Sequence, residues 1–157
     1  MPIAVSAREA NENRVGNTFP EVIVKPFYRS LYFGSPPARG GSADENKKAM
    51  PQAYLIEQPA NSEVAAHFHD TNQFQVFVHG KGAFGKKPFD GVMVHYAKAH
   101  TTYGPISAGD DGAHYMTLRN NWDSGAKLMP ANRDKLRKIK RLHRVAEEVP
   151  VPEAAAL

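Results

Sequence analysis

The 157-residue sequence has no cysteine, which excludes disulfides, thiolate metal ligands and a cysteine nucleophile. It also has no apolar run long enough to cross a bilayer. Its opening stretch, "MPIAVSAREANENR", lacks the basic region, apolar core and small-residue cleavage site of a signal peptide. The expectation is a cytoplasmic protein with no membrane partner. Acidic residues are in mild deficit, so the net charge is +4 and the pI about 9.3. The excess lies mainly in "NRDKLRKIKRLHR" (132–144). Leu136, Ile139 and Leu142 recur there at helical spacing, which predicts a docked amphipathic helix with solvated cations, His143 among them. Aromatic residues that would stack on bases are missing from this segment, so nucleic acid is not an expected partner.

Hydrophobic residues make up 41% and charged residues 23%, enough for one domain with a real core. Residues 1–18 are polar and low in apolar periodicity and read as an arm or a disordered start. "EVIVKPFYRSLYF" (21–33) reads as strand broken at Pro26, and "GSPPARGGSADENKK" (34–48) as a long loop able to cover one end of the domain. From 52 to about 122, short strands alternate with turns: "QAYLIEQ", "SEVAAHFHD", "QFQVFVHG", "GVMVHYAK" and "AHYMTLRNNW". Only Asn132 to Glu148, behind Pro130 and ahead of "VPVP", reads as helix. The expected architecture is all-β with a C-terminal α-helix, divided into an arm (1–18), a barrel (19–125) and a helix with tail (126–157).

The chemistry concentrates in "HFHDTNQFQVFVHG" (67–80), which holds three of the seven histidines. Side chains alternate along a strand, so Ala65, His67 and His69 share one face, and Gln73, Gln75, Phe77 and His79 share one in the next strand. Phe74, Val76 and Val78 form an apolar face that needs packing. Two imidazoles side by side, with an amide oxygen from the neighbouring strand, make a donor set for Fe, Mn, Ni, Co or Zn. His79, beside a turn glycine, reads as a surface residue.

"NSEVAAHFHDTNQFQVFVHG" resembles the first motif of the cupin superfamily, G-x5-H-x-H-x3,4-E-x6-G. His67, His69 and Gly80 keep its spacing; Asn61 stands at the leading glycine and Gln73 at the glutamate. The second motif, G-x5-P-x-G-x2-H-x3-N, survives only in its histidine if that residue is His100. The resemblance spans about 52–119. It implies a double-stranded β-helix, or jelly-roll, barrel of the small single-domain kind, often dimeric, so a homodimer is expected. It also implies a divalent transition metal (Fe, Mn, Ni or Zn) held by His67, His69, Gln73 and His100, with His95 or His114 as substitutes for His100.

Glutamine in place of glutamate leaves the ion's charge uncompensated, which weakens its retention and favours anionic ligands. The expected function is therefore a metal-dependent enzyme of dioxygenase, isomerase or lyase type acting on a small anionic molecule. Tyr103 and His114 are the candidate catalytic residues for proton transfer. His114 shares a face with Met116 and Leu118 and is expected to point inward, whereas Lys98 and Arg119 are expected to face solvent, with pairing to a substrate carboxylate as the alternative for each. The competing expectation is a non-catalytic binding protein with a metal-free pocket.

Overall fold

The computed structural model describes residues 4–17, 23, 25–34 and 50–137. The loop at 34–48 and the tail beyond 137, including His143, lie almost wholly outside the described residues. Among the described residues the elements are, in chain order, α1 (Ala7–Glu12), β1 (Arg14–Asn17), β2 (Phe27–Phe33), β3 (Gln52–Gln58), β4 (Glu63–Val64), β5 (His67–Phe68), β6 (Gln73–Phe84), β7 (Lys87–Asp90), β8 (Met93–Ala97), β9 (Ile106–Arg119), β10 (Lys127–Leu128) and α2 (Arg133–Arg137). The all-β reading therefore holds, and the short helix α2 begins one residue after the expected start. Among the described residues no helix is long and apolar enough to span a membrane.

Within the expected arm, residues 7–17 carry a helix and a strand, α1 and β1. Ser6 and Glu9 form a reciprocal capping box, with the Ser6 amide donating to the Glu9 carboxylate at 2.7 Å and the Glu9 amide to the Ser6 hydroxyl at 3.3 Å. Such a cap contributes about 1 kcal/mol. The strand that follows pairs with β2, and Arg14 anchors it through a 2.6 Å bond to Glu57 while lying over the Tyr28 ring. A short cap and one cation thus order a stretch whose composition looked structureless.

The large sheet runs β1-β2-β3-β9-β6-β7, with β4 joined to β9 and β8 to β6; β5 and β10 form a second ribbon. All pairings are antiparallel. The fourteen-residue β9 organises the barrel by pairing with β3 on one edge and β6 on the other. Its register stacks inward side chains in rows across three strands: Gln52, Arg119 and Gln73; then Tyr54, Thr117 and Gln75; then Ile56, Tyr115 and Phe77. The apolar core starts at the third row, where Phe77 packs against Phe89 and Tyr115 at centroid distances of 4.6 and 4.8 Å. Burying a ring of this size contributes about 2–3 kcal/mol.

The first two rows reverse the expected polarity of β6. Its amide face, Gln73 and Gln75, is buried, whereas Phe74 and Val78 are about half exposed. On the outside Phe74 stacks on Tyr96 of β8, with 5.0 Å between centroids. The reason is that the end of the barrel holding rows one and two encloses a polar network, so the buried face there is the hydrogen-bonding one. The expected strand over 62–70 is also two strands. Ala65 and Ala66 interrupt it, and the resulting change of phase lets Val64, His67 and His69 all face the interior.

Two turn positions match the motif's glycines. Asn61 adopts a left-handed φ of 51°, a conformation asparagine tolerates. Gly80 has φ 87°, and a Cβ there would collide with the carbonyl oxygen of Gly112, so a side chain is excluded both by backbone angle and by the close approach of β9.

Candidate binding cavity

A cavity of about 540 Å3 opens within the barrel. Ile23, Phe27, Ile56 and Val64 give it an apolar wall; His67, His69, Gln75, Tyr103, Thr117 and Arg119 give it a polar one. The segment 124–128 and residues from the start of α2 complete it. Among the described residues that line it, four side chains are cationic, Arg29, Arg119, Lys127 and Lys135, and none is a carboxylate.

His67 and His69 come together, with ring centroids 5.1 Å apart. The Nδ1 of His67 lies 2.6 Å from the Ala65 carbonyl oxygen. Only an N–H can be bonded to a carbonyl oxygen, so Nδ1 carries the proton and Nε2 keeps its lone pair. The Nδ1 of His69 donates in the same way to Oδ1 of Asp123 at 2.7 Å. Burial pushes both imidazoles down, His67 to about 4 and His69 to about 3, with the Arg119 charge adding to the effect; both rings are neutral at pH 7.

Gln73 sits beside them and is 1% exposed. Its amide nitrogen donates to the Tyr103 hydroxyl, and its Oε1 accepts from Arg119 Nε at 3.0 Å. Tyr103 also bridges His67 through the backbone, with amide-to-carbonyl bonds of 3.1 and 3.0 Å. Burial raises the Tyr103 phenol well above the usual tyrosine range, so it serves as a hydrogen-bonding phenol and not as a base.

The other histidines are elsewhere. His100 lies outside the cavity: its ring is 6.2 Å from that of Phe68 and its Nδ1 is 3.5 Å from Asp70. Its φ of 62° is left-handed. Aligning Tyr103 with the second motif's histidine puts His100 on the motif's glycine, three residues earlier, which is where such a backbone belongs. His95 packs behind the polar wall, with its ring 4.1 Å from Phe84 and 5.0 Å from Tyr103 and its Nδ1 3.2 Å from the Gln75 oxygen. The expectation that His114 points inward fails: it stacks on exposed His79 at 4.7 Å on the outer face, because Tyr115, Thr117 and Arg119 hold the inner positions of β9.

Arg119 reverses its expectation as well. It is 5% exposed, and its guanidinium reaches Gln73, Gln52 at 3.5 Å, and both ring nitrogens of His69 at 3.1 and 3.2 Å. Asp123, absent from the sequence reading, answers its charge at 3.4 Å. The Asp123 carboxylate also accepts from the Asp70 and Gly125 amides at 2.9 and 2.7 Å. Burial works against that carboxylate, yet the His69 hydrogen bond and the Arg119 and Lys127 charges hold it well below the ordinary range.

These residues do not fit a divalent ion. Among the described residues no three His, Asp or Glu side chains gather as a metal-holding group. Of the expected donors, His100 is outside the cavity, Gln73 is already hydrogen-bonded to a guanidinium, and the same guanidinium lies against the ring of His69.

No family model and no curated protein matches the sequence. Solved structures do match. A cupin 2 conserved barrel domain protein from Rhodopseudomonas palustris superposes with a TM-score of 0.55 at 13% identity, over 80% of this chain and 83% of its own. The chain folds as a cupin. An acetylacetone dioxygenase from Acinetobacter johnsonii is similar over 89% of this chain and 93% of its own, with TM-score 0.52 and 13% identity. A putative dioxygenase from Nostoc punctiforme has TM-score 0.56 and 11% identity over 74% of this chain, which spans only 39% of that protein. At such identities the likeness concerns the cupin barrel alone.

Proposed function

We propose that this cupin binds a small organic anion, a carboxylate or enolate on an apolar body, in a pocket that works without a metal ion. The supporting observation is the charge of the cavity wall: among the described residues it has four cations and no carboxylate, facing an apolar surface. Asp123 answers Arg119 and Asp70 answers Lys127, the latter at 2.6 Å. Arg29 and Lys135 add positive charge to the wall beyond these pairs, and the half-buried Arg29 suits a forked contact with a carboxylate. The apolar wall would hold the rest of the ligand, as in most small-molecule sites.

A panel of small aromatic and aliphatic carboxylates, each compared with its neutral amide, tests this by thermal shift. Carboxylates are expected to raise Tm and amides to leave it unchanged; Arg29→Gln should weaken carboxylate binding about tenfold. Carboxylates and amides behaving alike would refute the reading.

The second reading is a metal-dependent enzyme of the dioxygenase kind, acting on the same class of anion. It is favoured by the paired neutral imidazoles of His67 and His69, whose Nδ1 protons both point away to fixed acceptors, and by the two dioxygenase-like neighbours in fold. It requires protein purified without chelator or metal-affinity resin to contain close to one Fe, Mn, Ni or Zn per chain. Elemental analysis returning under a tenth of an equivalent would dismiss it.

A further inference from the structure

The guanidinium of Arg119 stands against two of the motif's side chains, His69 and Gln73. With His69 Nδ1–H committed to Asp123, the only lone pair left on that ring is on Nε2; Arg119 Nη2, 3.1 Å from Nδ1 and 3.2 Å from Nε2, lies over the ring beside that nitrogen. Gln73 Oε1 is 3.0 Å from Arg119 Nε. One atom that a metal would need, Gln73 Oε1, is therefore hydrogen-bonded by a cation that also lies against a second, His69 Nε2, and this cation is fixed in place because β9 register sets Arg119 between Gln52 and Gln73. The charge is balanced too: one guanidinium meets one buried carboxylate, Asp123, at 3.4 Å. A divalent ion entering here would face a buried positive charge at contact range, where low polarity strengthens repulsion.

We propose that Arg119 is a built-in substitute for the metal ion, and that it masks a latent divalent-cation site composed of His67 Nε2, His69 Nε2 and Gln73 Oε1. This rests on the reading of the pocket as metal-free. The donors, two neutral imidazoles and an amide oxygen, suit borderline ions such as Co2+, Ni2+ and Zn2+. Asp123 gives the latent site its compensating charge, since removal of the guanidinium leaves that carboxylate behind His69 with its main counter-charge gone.

The test uses Co2+ alone as probe, read by its visible absorption and by calorimetry, on the full chain. Wild type is expected to show no stoichiometric uptake. Arg119→Ala should take up one Co2+ per chain at least tenfold more tightly than wild type, with a rise in Tm on metal addition, and adding His69→Ala should abolish both. Because Arg119→Ala strands a buried carboxylate, Arg119→Ala/Asp123→Asn serves as the neutral control fold and should still bind Co2+ more tightly than wild type. Uptake by wild type equal to that of Arg119→Ala, or no uptake by either folded variant, would overturn the proposal. The carboxylate panel on wild type is read separately, so a failed anion pocket and a failed mask give different results.

Discussion

Asp123→Asn is expected to cost the fold about 3–5 kcal/mol, the range seen when one partner of a buried ion pair is removed. The substitution barely alters shape, so the loss is electrostatic. Asp123 is 1% exposed and accepts from His69 Nδ1, from the amides of Asp70 and Gly125, and faces Arg119. An asparagine oxygen could still accept one or two of these bonds, but Arg119 would be left as a buried cation with no anion beside it. For a chain of this length the Tm should fall by roughly 10 °C. Urea unfolding at pH 7 measures the change; a loss under about 1 kcal/mol would mean that water, and not Asp123, balances the guanidinium. Adding Arg119→Met should recover much of the loss, because a matched apolar replacement of a buried pair is often close to neutral.

Acid should unfold this protein well before its carboxylates titrate. His67 and His69 are held neutral by burial, at about 4 and about 3 against 6.5 in the open chain. Between pH 6.5 and 4 the unfolded chain binds more protons at these positions than the folded one, so stability falls as pH falls across that window. For His67 alone the difference corresponds to about 3 kcal/mol. His95, also lowered to about 4 by burial, acts in the same direction. Asp123 acts in the same direction over a lower range: its contribution is present above 3.8 and is lost only as the pH falls further. The urea midpoint should therefore drop steadily from pH 7 to pH 4.5. A flat midpoint over that interval would show that the imidazoles reach solvent.

Much of the fold was legible because its signals are local. His-x-His, the turn at Asn61 and the tight approach at Gly80 occupy one continuous stretch, and the backbone angles of Asn61 and Gly80 agree with their motif positions. The polar wall was harder to read. In "AHYMTLR", His114, Met116 and Leu118 look like the buried set, and hydropathy favours them; yet Tyr115, Thr117 and Arg119 point inward, because the barrel interior there is a hydrogen-bonded network. Asp123 was missed for another reason. It follows Asn-Asn-Trp in what reads as a turn, and its partners His69 and Asp70 are 54 and 53 residues away. No short-range pattern encodes such a meeting. Tyr103 falls between these cases, since the left-handed backbone at His100 marks the displacement of the second motif, and that angle is invisible in sequence.

The long strand β9 also shapes how the chain comes together. β3 and β6 are joined in the sheet through β9, which lies between them and whose Arg119 bonds Gln52 across 67 residues and Gln73 across 46. Closing loops of that size is entropically costly before any contact rewards it. During synthesis the earlier strands must wait, with open edges, until residues 106–119 emerge. Assembly is thus a late event timed by one segment, and folding on the millisecond-to-second scale is the natural tempo of such a topology.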